Sequence, residues 1–286
     1  MKTINTLVKD IYSVIEGNGG WNSAASDLLS KEIVQKAEER FIKGQEDKGV
    51  VRLSAIGNPR KRQLWLDHKY PELKAKFNGE MLGTFFYGDV LESIVIALAV
   101  AAGHKVEGLQ EDLNVFGIAG HGDCIIDGVV VDVKSTSSLN FLKFQTNSLR
   151  EKDEYGYISQ LSSYLYGYKD DPRVVTKNKA AFLAVSKERF KLCLDVYDLS
   201  KELRDKQIEL ESTKRLLSSD SMPDKCYDDI PDGKSGNMKL HNQCSWCSWR
   251  KKCWPEARAF QYSNGITYLS KVRKLPKVKE IKDANR

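Results

Sequence analysis

Gly120-His121-Gly122-Asp123-Cys124-Ile125-Ile126-Asp127-Gly128-Val129-Val130-Val131-Asp132-Val133-Lys134 is the stretch on which the fold turns. An Asp-Gly pair between β-branched runs is the strongest short-range hairpin signal, because the two-residue turn needs positive φ at both central positions. Counting outward from Asp127-Gly128 pairs Ile126 with Val129, Ile125 with Val130, Cys124 with Val131 and Asp123 with Asp132. Side chains alternate along a strand, so Lys134 shares a face with Asp132, while Cys124, Ile126, Val129, Val131 and Val133 form the opposite, apolar face. Carboxylates directly opposite one another destabilise a sheet unless a cation, a shared proton or water compensates them. A hard divalent ion, Mg²⁺ or Mn²⁺, meets that need through oxygen ligands. Lys134 beside it is placed to orient or deprotonate a water, or to neutralise charge growing on a phosphate.

Outward from the hairpin the pattern alternates. Residues 85–102 form an apolar helix closed by Gly103, and residues 1–45 read as helical apart from the turn signals at Gly17 to Gly20. Short strands broken by Gly108, Gly117, Gly120 and Gly122 follow Lys105. Residues 155–168 return to helical spacing, 180–185 and 190–196 read as strands, and 199–217 as a charged amphipathic helix. Residues 222–255, rich in Pro, Gly, Cys and Trp, suit a small metal-held lobe. The expected fold class is α/β, with a central mixed sheet flanked by helices.

With 286 residues, 41% hydrophobic and 29% charged, the chain can bury one large core with an appendage, and its composition argues against disordered, fibrous and membrane classes. Its mean hydropathy is -0.46. The unbroken apolar run at 94–102 falls short of the about 20 residues a bilayer needs, and the first fifteen residues carry Asp10 and no apolar leader. The expectation is a cytoplasmic protein whose six cysteines are metal ligands or buried thiols. Residues 271–286 hold seven basic and two acidic side chains, +5 of the net +6, and make a candidate phosphate-binding arm.

Cys244, Cys247 and Cys253, spaced C-x₂-C-x₅-C, bring three thiolates to a common centre that suits Zn²⁺ or an iron-sulfur cluster. Cys226 in the same segment is the best fourth ligand, with His241 the alternative for zinc. Cys124 and Cys193 read as buried small hydrophobes. Trp246, Trp249 and Trp254 interleave the ligands and would shield them or stack on unpaired bases. Arg60, Lys61 and Arg62 beside Trp65 form a basic-aromatic cluster suited to nucleic acid. Gly233-Lys234-Ser235 ends like a P-loop, but Asp228 stands where its leading glycine belongs, so no nucleotide cofactor is expected. No nucleophile elbow is present either.

These residues resemble the PD-(D/E)XK nucleases, and among them the RecB-type branch with its phage and CRISPR-associated exonuclease-like members. Gly120-x-x-Asp123 followed by Asp132-Val133-Lys134 is similar to that branch's signature. Gly88-Asp89-Val90-Leu91-Glu92 resembles the helix that carries an extra metal-binding acid, and Gln160-Leu161-Ser162-Ser163-Tyr164 its Gln-x-x-x-Tyr helix. The stretch Ser54 to Trp65 resembles the segment preceding the nuclease core, and the C-terminal cysteines an iron-sulfur staple whose fourth cysteine this chain replaces by Asn58. The resemblance, covering about Ser54 to Trp254, implies a restriction-endonuclease-like core over 51–220. A helical extension over 1–50, a metal-binding cysteine lobe over 221–260 and a basic tail over 261–286 complete the expected layout.

It implies Mg²⁺ or Mn²⁺ on Glu92, Asp123, Asp132 and the Val133 carbonyl. Lys134 acts on water, Gln160 and Tyr164 brace Lys134 or the phosphate, and a [4Fe-4S] cluster, or Zn²⁺, sits on Cys226, Cys244, Cys247 and Cys253. The expected activity is hydrolysis of DNA, single-stranded or at duplex ends, as an exonuclease in recombination, replication or repair. Partners would be DNA, further copies of the chain or replication and recombination proteins, and no membrane. The alternatives are a non-catalytic DNA-binding accessory protein and a nuclease acting on RNA.

Overall fold

The computed structural model describes residues 2–42 and 49–282. In chain order its elements are α1 (Leu7–Ile15), α2 (Ser23–Phe41), α3 (Lys61–Lys69), α4 (Gly79–Ala101), β1 (Val106–Glu107), β2 (Glu111–Val115), β3 (Ile118–Gly122), β4 (Cys124–Ile126) and β5 (Val129–Thr136). They continue with α5 (Ser138–Gln145), α6 (Tyr157–Gly167), β6 (Lys179–Ser186), β7 (Leu192–Asp198), α7 (Ser200–Ser218), β8 (Ile230–Pro231), β9 (Met238–Lys239), α8 (Asn242–Ser245), α9 (Arg250–Cys253), β10 (Arg258–Tyr262), β11 (Gly265–Lys271) and β12 (Glu280–Ile281). Two compact units share these elements. The first takes in the described residues up to 42, Val51–Pro59 and Gly79–Arg215; the second takes in residues 49–50, Arg60–Asn78 and those from Leu216 on.

The first unit is built on a mixed sheet of order β1-β4-β5-β6-β7, in which only β5 and β6 run parallel. The expected register is present: Cys124 faces Val131, Ile125 faces Val130 and Ile126 faces Val129. Asp127 and Gly128 turn the chain at φ 49° and 81°, the positive values the tight turn demands. On one face Cys124, Ile126, Val129, Val131 and Val133 pack with Leu7 and Ile11 of α1 and Leu91, Val95 and Ile96 of α4. The other face is covered too, by Phe141 and Phe144 of α5, Leu161 and Tyr164 of α6, and Leu210 of α7, packed with Ile125, Val130 and Phe182. A parallel pair covered on both sides buries most of the side chains it carries, so Asp132 is fully buried although it belongs to the polar face.

Two glycines set where α6 begins. Gly156 has φ +78°, and a Cβ there would lie 2.2 Å from the Gly57 carbonyl carbon, so the two backbones meet without side chains between them. Asp153 then caps the helix, one carboxylate oxygen accepting from the Gly156 and Tyr157 N–H groups at 2.8 and 2.9 Å and the other from Ile158 at 2.9 Å.

The helical N-terminal region is two helices, parted by positive-φ glycines at 17, 19 and 20; residues 43–48 of the expected extension lie outside the described residues. Strand β7 starts at Leu192, because Phe190 sits in the preceding turn at φ 51°. Helix α4, with a mean hydropathy of 1.7 in its most apolar window, is long and apolar enough to cross a membrane by length and composition, although the unbroken run within it is short. Within the fold 44% of that window is buried.

The second unit holds a five-stranded sheet of order β12-β10-β11-β9-β8. The boundaries expected at 221 and 261 therefore shift. Ala259 pairs with Tyr268 and Phe260 with Thr267, so much of the expected tail is sheet, and Arg60–Asn78 joins this unit rather than the core expected over 51–220. The alternation in 258–271 is obscured by its exposed charged and polar positions. Residues 283–286 of the expected tail lie outside the described residues. Trp65, Leu66 and Trp249 form a small core, with Trp65 Nε1 donating to the Ser219 carbonyl at 2.8 Å and Trp249 Nε1 to Asp67 Oδ1 at 2.7 Å.

Candidate catalytic and metal sites

Asp123 leaves the hairpin ladder just before β4, and its Oδ2 accepts from the Val133 N–H at 2.8 Å. That bond fixes the carboxylate across from Asp132, whose field reaches it. Burial, then Asp132, lift Asp123 to about 7, with Lys134 and the Val133 N–H opposing. Asp132 is raised as well, chiefly by burial. Lys134 Nζ lies 2.6 Å from Asp132 Oδ2 and 5.0 Å from the centre of the Tyr157 ring. Burial alone would lower its pKa; the fields of Asp132 and Asp123 outweigh burial and hold it protonated, above its ordinary value.

Gln160 and Tyr164, one turn apart on α6, are both buried and act as one unit. Gln160 Nε2 donates to Tyr164 Oη at 2.8 Å and approaches Asp132 Oδ1 at 3.3 Å. Their contact is therefore with Asp132 rather than with Lys134. Burial, then the Asp132 field, raise the Tyr164 hydroxyl, which stays protonated. Glu92 reaches the same centre from α4. Burial, then Asp123, lift it to about 7, and its Oε1 accepts from Gln110 Nε2 at 2.8 Å and from Lys36 Nζ at 2.9 Å. Sequence reasoning passed over Lys36 and Gln110. Neither lies in a motif, and only the packing of α2 on α4 and the bend before β2 bring them in.

Among the described residues no three His, Cys, Asp or Glu side chains meet closely enough to hold a metal ion as they stand. The chemistry of the acidic set nonetheless suits a hard divalent cation, since the buried Asp132 and the half-buried Asp123 and Glu92 repel one another and a cation would remove that repulsion. The same shifts fix a pH dependence. A carboxyl group whose folded pKa is raised binds its proton more tightly in the native than in the unfolded chain. The native state is thus favoured at low pH, and stability falls as pH rises from the ordinary carboxylate range through about 7. The expected cost is about 3–4 kcal/mol per group above that window. Mg²⁺ should then raise the melting temperature more above pH 7 than below pH 5, a difference that thermal melts check; an equal shift at both would contradict the arrangement.

In the second unit Cys226, Cys244, Cys247 and Cys253 line a single cavity with Trp249, Trp254, Lys225 and Arg60. Burial pushes Cys247 up to about 11, with Cys253 and Cys244 adding to the rise; Cys244 is raised by burial and then by Cys226 and Cys253. The four thiols line the same cavity without meeting at one point as they stand, and they are the ligand type that a soft cation would bind in place of their protons. Lys225 Nζ, 3.5 Å above the Trp254 ring, and Arg60 supply positive charge for a thiolate-bound centre. His241 is stacked on Tyr227 at 4.3 Å and its Nδ1 accepts from the Gln243 N–H as the cap of α8, which disfavours it as the fourth ligand. Cys124 is buried on the apolar face of β4, and Cys193 is half-buried on β7.

Two expectations need correction. Trp65, read as part of a nucleic-acid surface with Arg60, Lys61 and Arg62, is a core residue, and Arg62 Nε donates to the Pro223 carbonyl at 2.6 Å. Trp246 is 71% exposed and shields nothing, whereas Trp249 is buried.

No family model matches the chain, and no curated protein matches it. Among solved structures, one titled "Crystal structure of SSO0001" is similar over 81% of this chain and 96% of that chain, at 16% identity and a TM-score of 0.38, a likeness too slight to carry an argument.

Proposed function

We propose that the first unit is a PD-(D/E)XK-type nuclease core and that the protein hydrolyses DNA phosphodiesters with Mg²⁺ or Mn²⁺, in recombination, replication or repair. The observation that carries this reading is the cluster of buried Asp132 with half-buried Asp123 and Lys134, with Gln160 tied to Asp132. Glu92, Asp123 and Asp132 would hold the cation, which would supply charge neutralisation and an acidified water. Lys134, held protonated by Asp132 and Asp123, would orient the attacking water or stabilise charge on the phosphate oxygens. Gln160 and Tyr164 keep the Asp132 carboxylate in one orientation. Water adds to phosphorus, the bond to one ester oxygen breaks, and a phosphate end and a hydroxyl end are left. Cys226, Cys244, Cys247 and Cys253 would bind a [4Fe-4S] cluster or Zn²⁺ that holds the second unit together.

The test is incubation of the purified full chain with linear single-stranded, linear duplex and circular DNA, and with RNA, in Mn²⁺ or Mg²⁺. Loss of linear DNA that EDTA prevents supports the reading. DNA affinity without cleavage favours the accessory protein, and cleavage of RNA alone redirects the substrate.

A further inference from the structure

The ion pairs that α2 makes with α4 lead into the acidic site, and a role for α2 there rests on the nuclease reading of that site. Arg40 holds Asp89 with two bonds, Nε to Oδ2 at 2.6 Å and Nη2 to Oδ1 at 3.1 Å. One turn earlier on α2, Lys36 extends its ammonium to Glu92 Oε1 at 2.9 Å. The side chains of Lys36 and Glu92 are 12% and 18% exposed, so water screens the pair little. With Gln110 donating to the same oxygen, Glu92 Oε1 already has two donors. Any cation that takes this oxygen must compete with an ammonium already there.

Lys36 also has somewhere to go. Its Nζ lies 3.4 Å from the Asp89 carbonyl oxygen and 3.9 Å from Glu32 Oε2, and Glu32 is itself buried. A small rotation of the four-carbon stem exchanges Glu92 for these acceptors without exposing a bare charge. We propose that Lys36 is the built-in counter-ion of the acidic site: it balances Glu92 while no divalent ion is bound and gives up Oε1 when one arrives. The N-terminal helical region thereby sets the cation affinity of the site, and Arg40 on Asp89 keeps Lys36 within reach.

The experiment is a calorimetric titration of the full chain with Mg²⁺ alone, without DNA, at about pH 8.5, above the values of about 7 to which Glu92 and Asp123 are raised. Lys36→Met should bind Mg²⁺ about tenfold more tightly than the wild type. Lys36→Arg, which keeps the charge, and Lys31→Met, an exposed lysine on the same helix, should bind as the wild type does. A Lys36→Met affinity no tighter than wild type overturns the proposal, as does a gain that persists in a Glu92→Gln background. If Asp132→Asn leaves wild-type Mg²⁺ binding unchanged, the nuclease reading of the site falls, and the proposal falls with it. Should Lys36→Met fail to fold, the Lys36 ammonium resonance of nitrogen-labelled wild-type protein answers the same question. It moves on addition of Mg²⁺ if the pair opens and stays in place if it does not.

Discussion

Replacement of Lys134 by alanine is expected to lower DNA hydrolysis by about 10²–10⁴-fold, the range for losing a positioned donor at a reacting centre. Affinity for DNA should change little, so the loss belongs in kcat rather than KM. Lys134 Nζ lies 2.6 Å from Asp132 Oδ2, and Asp132 is fully buried, so the variant also leaves a carboxylate stripped of its partner. A buried charge left unpaired destabilises by about 3–5 kcal/mol unless it takes up a proton. Thermal melts of Lys134→Ala and Lys134→Met, the latter keeping the apolar stem beside Tyr157, separate the two effects. A folded Lys134→Met that degrades DNA at the wild-type rate would remove Lys134 from the chemistry.

The second large effect concerns the cysteines. Serine at any of Cys226, Cys244, Cys247 or Cys253 is expected to cost most of the bound metal and to unfold the second unit, whereas Cys124→Ser and Cys193→Ser should leave metal content unchanged. Structural zinc sites contribute about 10–16 kcal/mol in isolated peptides, more than a small core supplies by itself. Cys247 and Cys253 pack against Trp65, Leu66 and Trp249, so loss of metal there is felt by the unit's own core. Metal analysis with visible absorbance reads the outcome: a brown protein with a broad band indicates the cluster, and a colourless one with stoichiometric zinc the alternative. Full metal content in Cys226→Ser would exclude it as the fourth ligand.

The hairpin was legible because its information is local. Asp127-Gly128 sets the turn, period two sets the faces, and the register of Cys124 on Val131 follows from those alone. Gln160 and Tyr164 were legible for the same reason, as an i, i+4 pair on one helix. Their attachment to Asp132 rather than Lys134 depends on how deeply α6 sits over β5, which spacing does not encode. Lys36 lies 56 positions from Glu92, and a lone lysine on a polar helix has no distinguishing neighbour. Trp65 alone of the basic-aromatic cluster was misplaced, because charge density around it reads as surface while its indole is drawn inside by Trp249 and the Ser219 carbonyl. The C-terminal strands were missed because lysines and arginines on exposed positions gave the segment the look of a solvated arm.

The second unit is assembled from pieces far apart along the chain: α3 near the start, and everything after Leu216. During synthesis Trp65 and Leu66 leave the ribosome long before Trp249, the residue that will cover them, has been translated. These apolar side chains must wait through the making of most of the first unit. A premature stop near residue 215 would leave Trp65 and Leu66 without the side chain that covers them.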